Sequence, residues 1–436
     1  MNRPTFVAGL GVLVSAGSAF ATTTGGDDGT VNAAAAEPAV TIPVLDNHES
    51  GGAMWNNGFH IMSADEQHKL RIGARIDFDA NFVSIDGAEG SAADNDTIGF
   101  RRSRIMLEGM SYGAIGYRAV VDFNGPGGGT EFADLYLTLE NFLVGRLTAG
   151  QFFEPFGLEA NTYSENISLQ ERSLSTALIA PGRGTGVMVS DFVEDTNFGW
   201  ALGVFSSQGG GAFATTNLNG TTAGISGSFS GNSTGIGTEQ LEANYAITGR
   251  ATFAPVMNED GSEVVHVGAS FSTRGTENTG LDSDADGVND VFYDDDVRFG
   301  LEAAGVFGPL SLQAEFMSAS LGGEGTAADL DIDGLYVQAA YMITGETRQY
   351  SKGTFGPVVP DSEWNGFGSG GTGALEGVIR WSDTSIDAGT ETDTNVIDLG
   401  ANWYMNQNSR FMAGISIIDS DSGDAEALNF RWQVII

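Results

Sequence analysis

The chain has 436 residues, with 57 Asp plus Glu against 19 Lys plus Arg, a formal net charge of -38, 63 glycines, 10 prolines and no cysteine. That charge repels a phosphate backbone, so no nucleic-acid partner is expected, and the lack of cysteine removes disulfides, thiol nucleophiles and thiolate zinc sites. Apolar residues at 41% argue against global disorder, and high glycine with 10% aromatics and little proline suits a long, many-stranded β protein.

Residues 1–21 read as an export signal. Met1-Asn2-Arg3 is a short basic start, Phe6 to Val14 is apolar, and Ala19-Phe20-Ala21 is a small-residue cleavage site. The apolar stretch is too short to span a bilayer. Export without cysteine fits a Gram-negative periplasm or outer membrane. Residues 22–68, rich in Ala, Thr, Gly and Asp as far as Ser50, read as a flexible periplasmic leader.

Residues 69–436 alternate. From Leu70 to Phe82, Ile72, Ala74, Ile76, Phe78, Ala80 and Phe82 share one face, and Arg71, Gly73, Arg75, Asp77, Asp79 and Asn81 share the other. Period 2 over such a length is a strand, longer than soluble strands usually are and long enough to cross a membrane at a tilt. Sixteen such segments are predicted, the first at 70–83 and the last at 426–436. Their even number suits a closed barrel with no edge exposed to lipid. The expected fold is all-β, a transmembrane antiparallel β-barrel of 16 strands. Connection lengths support it over a soluble sandwich. With the first strand entering from the periplasm, Ser111, Asn141, Gly308-Pro309 and Asn406-Gln407-Asn408 are tight turns on one side. Connections 84–96, 154–183, 207–238, 274–294, 319–331 and 384–393 fall on the other side and are mostly longer. The long connection 344–372 breaks the parity: either the strand count slips there or that turn is elaborated.

Particular strings resemble a known family. Phe100-Arg101-Arg102-Ser103-Arg104 through Leu107-Glu108-Gly109 is similar to its "FRRxRxxxEG" strand, and Gly150 through Glu159 to its "GQFKEPFSLE" segment. Glu171-Arg172-Ser173-Leu174 with Ala180 through Met188, and Asn402-Trp403-Tyr404 with Asn406, add further matches in order. The family is that of phosphate-selective porins O and P. The resemblance implies a 16-stranded barrel, usually a homotrimer, with the loop at 154–183 folded into the pore. The sequence also departs from the family. It has just two lysines, Lys69 and Lys352, and Phe153 stands where the family segment carries lysine.

The apolar face of each strand meets lipid, so the opposite face lines the lumen. This sets Arg71 and Arg75 inward on the first strand, Arg102 and Arg104 on the second, Arg118 on the third and Arg146 on the fifth. Neighbouring strands lie about 4.8 Å apart, so these arginines form one basic wall. Two readings stay open. A guanidinium can grip phosphate or carboxylate bidentately, which makes the wall an anion-attracting stripe. Alternatively it forms a salt-bridge lattice with Asp77, Asp79, Glu108, Asp122, Asp134 and Glu140. By loop position and by resemblance, Glu154, Arg172 and Arg183 are expected at the constriction, or else pinning the loop to the wall. Asp282-x-Asp284-x-Asp286-Gly287-x-x-Asp290 carries oxygen ligands at spacing suited to a structural Ca2+, although Tyr293 replaces the usual terminal Glu. Weakly bound calcium is the favoured reading, and a solvated acidic loop is the alternative. His266 is the sole imidazole of the strand region, so no enzyme is expected.

The expected function is passive diffusion of small hydrophilic solutes across the outer membrane of a Gram-negative-type bacterium, with anions such as phosphate as the finer expectation. A non-conducting surface or structural barrel is the alternative. Expected partners are the lipid bilayer and lipopolysaccharide, small ions or solutes, and further copies of the chain in a homotrimer.

Overall fold

The computed structural model describes residues 51–436 except 56, 87–95, 125–128, 207–244, 259–260, 282–290, 324–327, 369 and 422. A hairpin, β1 (Gly52–Trp55) and β2 (Phe59–Met62), comes first. Twelve long strands follow: β3 (Lys69–Asp86), β4 (Thr97–Ser111), β5 (Ile115–Asp122), β6 (Glu131–Phe142), β7 (Gly145–Phe153), β8 (Arg183–Val193), β9 (Phe198–Ser206), β10 (Tyr245–Met257), β11 (Glu263–Leu281), β12 (Val291–Phe307), β13 (Leu310–Gly323) and β14 (Leu330–Met342). A small hairpin, β15 (Tyr350–Ser351) and β16 (Thr354–Phe355), precedes β17 (Ala374–Asp387), β18 (Glu391–Asn406), β19 (Ser409–Ser420) and β20 (Asp424–Ile435). Each long strand pairs antiparallel with its neighbours, and β20 returns to β3 from Asp424↔Asp86 to Ile435↔Arg75. The result is a closed 16-stranded antiparallel barrel, which leaves lipid no unpaired strand edge along the ring.

Alternation dictates which face goes where. On β19, Phe411, Ile415 and Ile417 are exposed on the outside, while Arg410, Met412 and Ser420 are buried inside. β14 inverts the rule at one end: Leu330 and Ile332 point in, and Asp331 and Asp333 point out. The cause is an apolar partner inside the barrel. The segment between β7 and β8 carries two short helices, α1 (Leu158–Asn161) and α2 (Leu174–Ile179). Phe156, Leu174, Leu178 and Ile179 pack there against Met317, Leu321, Leu330, Ile332 and Ile386 of the wall. Each large apolar side chain so buried contributes about 1.5–3 kcal/mol. Gly334 makes the approach possible, since a Cβ there would lie 2.2 Å from that of Ser175.

Two expectations are corrected and one open alternative is decided. The flexible leader does not extend to residue 68: β2 pairs with β3 from Phe59↔Ile72 to Met62↔Lys69, because Phe59 and Ile61 continue the outward apolar face of β3. The connection expected at 384–393 shrinks to 388–390, because β17 and β18 stay paired to Asp387↔Glu391. Finally, the strand count holds through 344–372, and the turn itself is elaborated. It carries the β15–β16 hairpin inward, where Gly353 O accepts from Arg250 Nη2 at 2.7 Å. It then returns to the rim, where Trp364 packs on Trp403 with ring centroids 5.3 Å apart. The residues of the expected calcium site, Asp282, Asp284, Asp286 and Asp290, lie outside the described residues.

Candidate functional site

The six arginines expected on the lumen wall all turn inward, and each meets a carboxylate. Arg71 Nη1 lies 2.8 Å from Glu108 Oε1. Arg75 forks onto Asp77, with Nε at 3.0 Å and Nη2 at 2.7 Å, and its Nη1 reaches Ser164 Oγ at 2.7 Å and Glu165 Oε2 at 2.6 Å. Arg102 shares Asp77 at 3.0 Å. Arg104 donates to Asp122 at 2.6 Å, Arg118 to Glu108 and to Asp134, and Arg146 to Glu140. Strand alternation therefore places the basic wall, and the carboxylates on the same face turn it into a lattice.

That lattice continues onto the 154–183 segment. Glu171 lies beside Arg101 at 3.1 Å, Arg102 at 3.6 Å and Arg431 at 2.7 Å. Burial favours its neutral form, but the guanidiniums of Arg101, Arg102 and Arg431 outweigh burial and hold its carboxyl at about 2. On the far wall, Arg380 forks onto Asp398 and reaches Glu159 Oε1 at 3.0 Å. Arg298 holds Asp296 and donates to Ile179 O at 2.8 Å. Glu315 of β13 accepts from the backbone N–H groups of Leu158 and Glu159, each at 2.7 Å. Gly157 precedes them with φ +72°, a left-handed conformation that leaves the room Glu315 needs.

The three residues expected at the constriction separate. Arg172 is buried and donates to Glu159 O at 2.9 Å, Ala160 O at 3.2 Å and Thr162 O at 2.8 Å, so it ties the segment to itself. Burial lowers its pKa to about 10, opposed by Glu159. Arg183 sits where the segment rejoins the wall, 2.6 Å from Asp134 and over the ring of Phe153. Glu154 is buried at the segment's root, accepting from Thr248 Oγ1 at 2.5 Å and pairing with Arg274. Beside the segment's 169–174 stretch lies a cavity of about 260 Å³, lined among others by Arg101, Arg172, Arg380, Arg431, Asp79 and Asp398.

The hairpin from 344–372 meets this segment from the opposite end. Arg348 Nη2 donates to Asn166 O at 2.6 Å, and Phe355 N to Thr162 Oγ1 at 3.4 Å. Tyr350 Oη lies 2.6 Å from His266 Nδ1, and His266 Nε2 lies 3.3 Å from Glu302. His266 thus lies inside the barrel as a wall residue that holds the hairpin.

Sequence reasoning passed over Arg101, Arg298, Arg380 and Arg431. Alternation beside Leu428, Phe430 and Trp432 would have turned Arg431 inward by the rule applied to the first strands. Arg101 was hidden by a β-bulge, since the β3–β4 register steps from Asp77↔Arg102 to Phe78↔Phe100.

A closed barrel with an apolar outer band and a charged inner wall is the architecture of an outer-membrane porin, a passive and non-catalytic diffusion channel. The chain belongs to the family described as phosphate-selective porin O and P, whose model matches residues 69–427. Porin O of Pseudomonas aeruginosa is 27% identical over 398 residues, covering 82% of this chain and 84% of that one. Among solved structures, the loop-deleted OmpT of Vibrio cholerae is 13% identical, with TM-score 0.52 over 85% of this chain and 100% of that chain. An anion-selective porin from Comamonas acidovorans is 10% identical, with TM-score 0.52 over the same shares of each chain. At such identity these two structures speak to the fold alone.

Proposed function

We propose that this porin passes small hydrophilic solutes with weak ion selectivity, because its lumen charges are compensated in place. The observation that carries this reading is the pairing of the basic wall. Arg71, Arg75, Arg102, Arg104, Arg118 and Arg146 each lie against Asp or Glu at bonding distance. A paired guanidinium offers a passing anion a local dipole rather than a full charge. Preference for anions such as phosphate is the finer reading that family membership favours and this pairing works against. Trimeric assembly is part of the proposal and rests on family membership.

One observation favours a second reading, a barrel that does not conduct. The 154–183 segment and the 344–372 hairpin meet inside the lumen through Asn166, Thr162, Arg348 and Phe355. The test is the reversal potential of the purified protein in a planar bilayer under a KCl gradient, repeated with phosphate. A value near zero is expected. Strong anion selectivity with phosphate block would overturn the compensated lumen, and absence of conductance would establish the second reading.

A further inference from the structure

Part of the elaborated turn leaves the barrel on its outer side. After the inward hairpin, residues 361–373 are tied to the end of β18. Trp364 N donates to Met405 O at 2.6 Å, and Asn406 Nδ2 donates to Asn365 Oδ1 at 3.2 Å. Trp403 Nε1 donates to Thr372 O at 2.9 Å, and Gly373 N closes the turn onto Ser362 O at 2.8 Å. Trp403 shares the outward face of β18 with Ile397 and Leu399, so the Trp364 ring that packs on it also lies outside the wall. Beyond it, Gly366 and Gly368 take φ +119° and +91°, and the chain turns with Phe367 at its tip. Phe367 is 102% exposed and meets Trp364 edge-on, with ring centroids 5.7 Å apart.

This tip continues a surface that already meets lipid. Trp403 stacks on Phe411 and Phe411 on Trp432, with centroids 6.3 and 5.2 Å apart and ring planes 15° and 23° apart. All three point outward where β18, β19 and β20 approach the short-turn rim, which is the periplasmic end of an outer-membrane barrel. Trp364 and Phe367 extend that aromatic row off the strands. Aromatic rings at such a rim favour the boundary between lipid headgroups and acyl chains. Charge supplies no competing attraction: residues 361–373 carry Asp361 and Glu363 and no Lys or Arg, so anionic headgroups are repelled rather than recruited. Apolar transfer is the force that remains, and moving a phenylalanine ring out of water changes an equilibrium constant by about tenfold or more. A turn serving only to link β14 to β17 needs no bare aromatic ring at its tip.

We infer that the 361–373 turn is a lipid anchor, which seats Phe367, with Trp364 behind it, at the headgroup–acyl boundary of the periplasmic leaflet. The inference holds whether or not the barrel conducts.

The chain has no cysteine, so Phe367→Cys carries a single nitroxide. Collisions of that label with oxygen and with a nickel chelate are read in vesicles of phosphatidylethanolamine and phosphatidylglycerol at two ratios. Labelled Leu399→Cys is the lipid standard, and free label in buffer is the water standard. Heat-modifiable gel mobility verifies that each variant is folded. The label at 367 is expected to favour oxygen, at a depth between the two standards and equal at both lipid ratios. Nickel accessibility matching the free label overturns the inference. So does spin–spin broadening that vanishes on dilution with unlabelled chain, because a second copy then covers the tip. A depth that follows the phosphatidylglycerol share overturns the apolar basis. Without label, Phe367→Ser should lower the folding equilibrium constant in vesicles about tenfold, and Phe367→Leu much less. Equal values for those two variants would also overturn the inference.

Discussion

Glu171 Oε1 meets Arg431 Nη2 at 2.7 Å, so an insertion that leaves the wall after β7 is held by the last strand of the barrel. Arg431 is itself forked onto Asp79 of β3, across the seam where the ring closes. The insertion is therefore anchored at the seam, and this geometry makes several outcomes measurable.

Glu171→Gln removes the carboxylate shared by Arg101, Arg102 and Arg431. A loss of about 1.5–3 kcal/mol is expected in urea unfolding from lipid vesicles. The same variant leaves positive charge uncompensated, so its reversal potential should shift toward anions. An unchanged reversal potential would mean that solutes do not pass this contact.

Glu171 also sets a pH window. Its carboxyl titrates at about 2 in the folded chain against an ordinary value of 4.5. Its stabilising contribution is therefore complete above about pH 4.5 and is lost as pH falls toward 2. Current fluctuations should rise in that interval in the wild type, and Glu171→Gln should show them at every pH.

Gly157→Ala places a Cβ 2.8 Å from Glu315 Oε2 in a left-handed backbone conformation. At ψ 161° this is the positive-φ extended region open essentially to glycine, so a cost of about 1–3 kcal/mol is expected from the backbone alone. The bonds from Leu158 and Glu159 to Glu315 should weaken with it, visible as faster amide exchange at those two residues. Protection equal to wild type would refute the close-approach argument.

Tyr350→Phe deletes the hydroxyl that bonds His266 Nδ1. About 0.5–1.5 kcal/mol should be lost. Replacing 346–372 by a tight turn is the stronger test of the hairpin. Conductance should rise severalfold, and equal conductance would show that the hairpin does not narrow the path.

Much of this was legible in the sequence. Period 2 through Leu70–Phe82 turned Arg75 and Asp77 inward, because a strand in lipid has nowhere else to put them. The same rule failed where the barrel supplies its own apolar partner: Leu330 and Ile332 face in because Leu178 and Ile179 wait there. Pairs such as Arg431 with Asp79 join residues 352 positions apart, and only ring closure brings them together. The hairpin at Tyr350–Phe355 left one trace in the sequence, a long connection at a position where a short turn was due.

The first hairpin bears on how the ring finds its alignment. β20 ends opposite Arg75, and Ile436 exchanges both backbone bonds with Ala74. On the same edge of β3, Phe59 of β2 begins opposite Ile72, with Gly73 alone between them. A one-residue slip of β20 is forbidden by side-chain alternation, but a two-residue slip keeps every side chain on its proper face. Sliding that far toward Lys69 would drive Ile436 into the place of Phe59. The hairpin is thus an end-stop in one direction, which blocks a misalignment that hydrophobic patterning cannot detect.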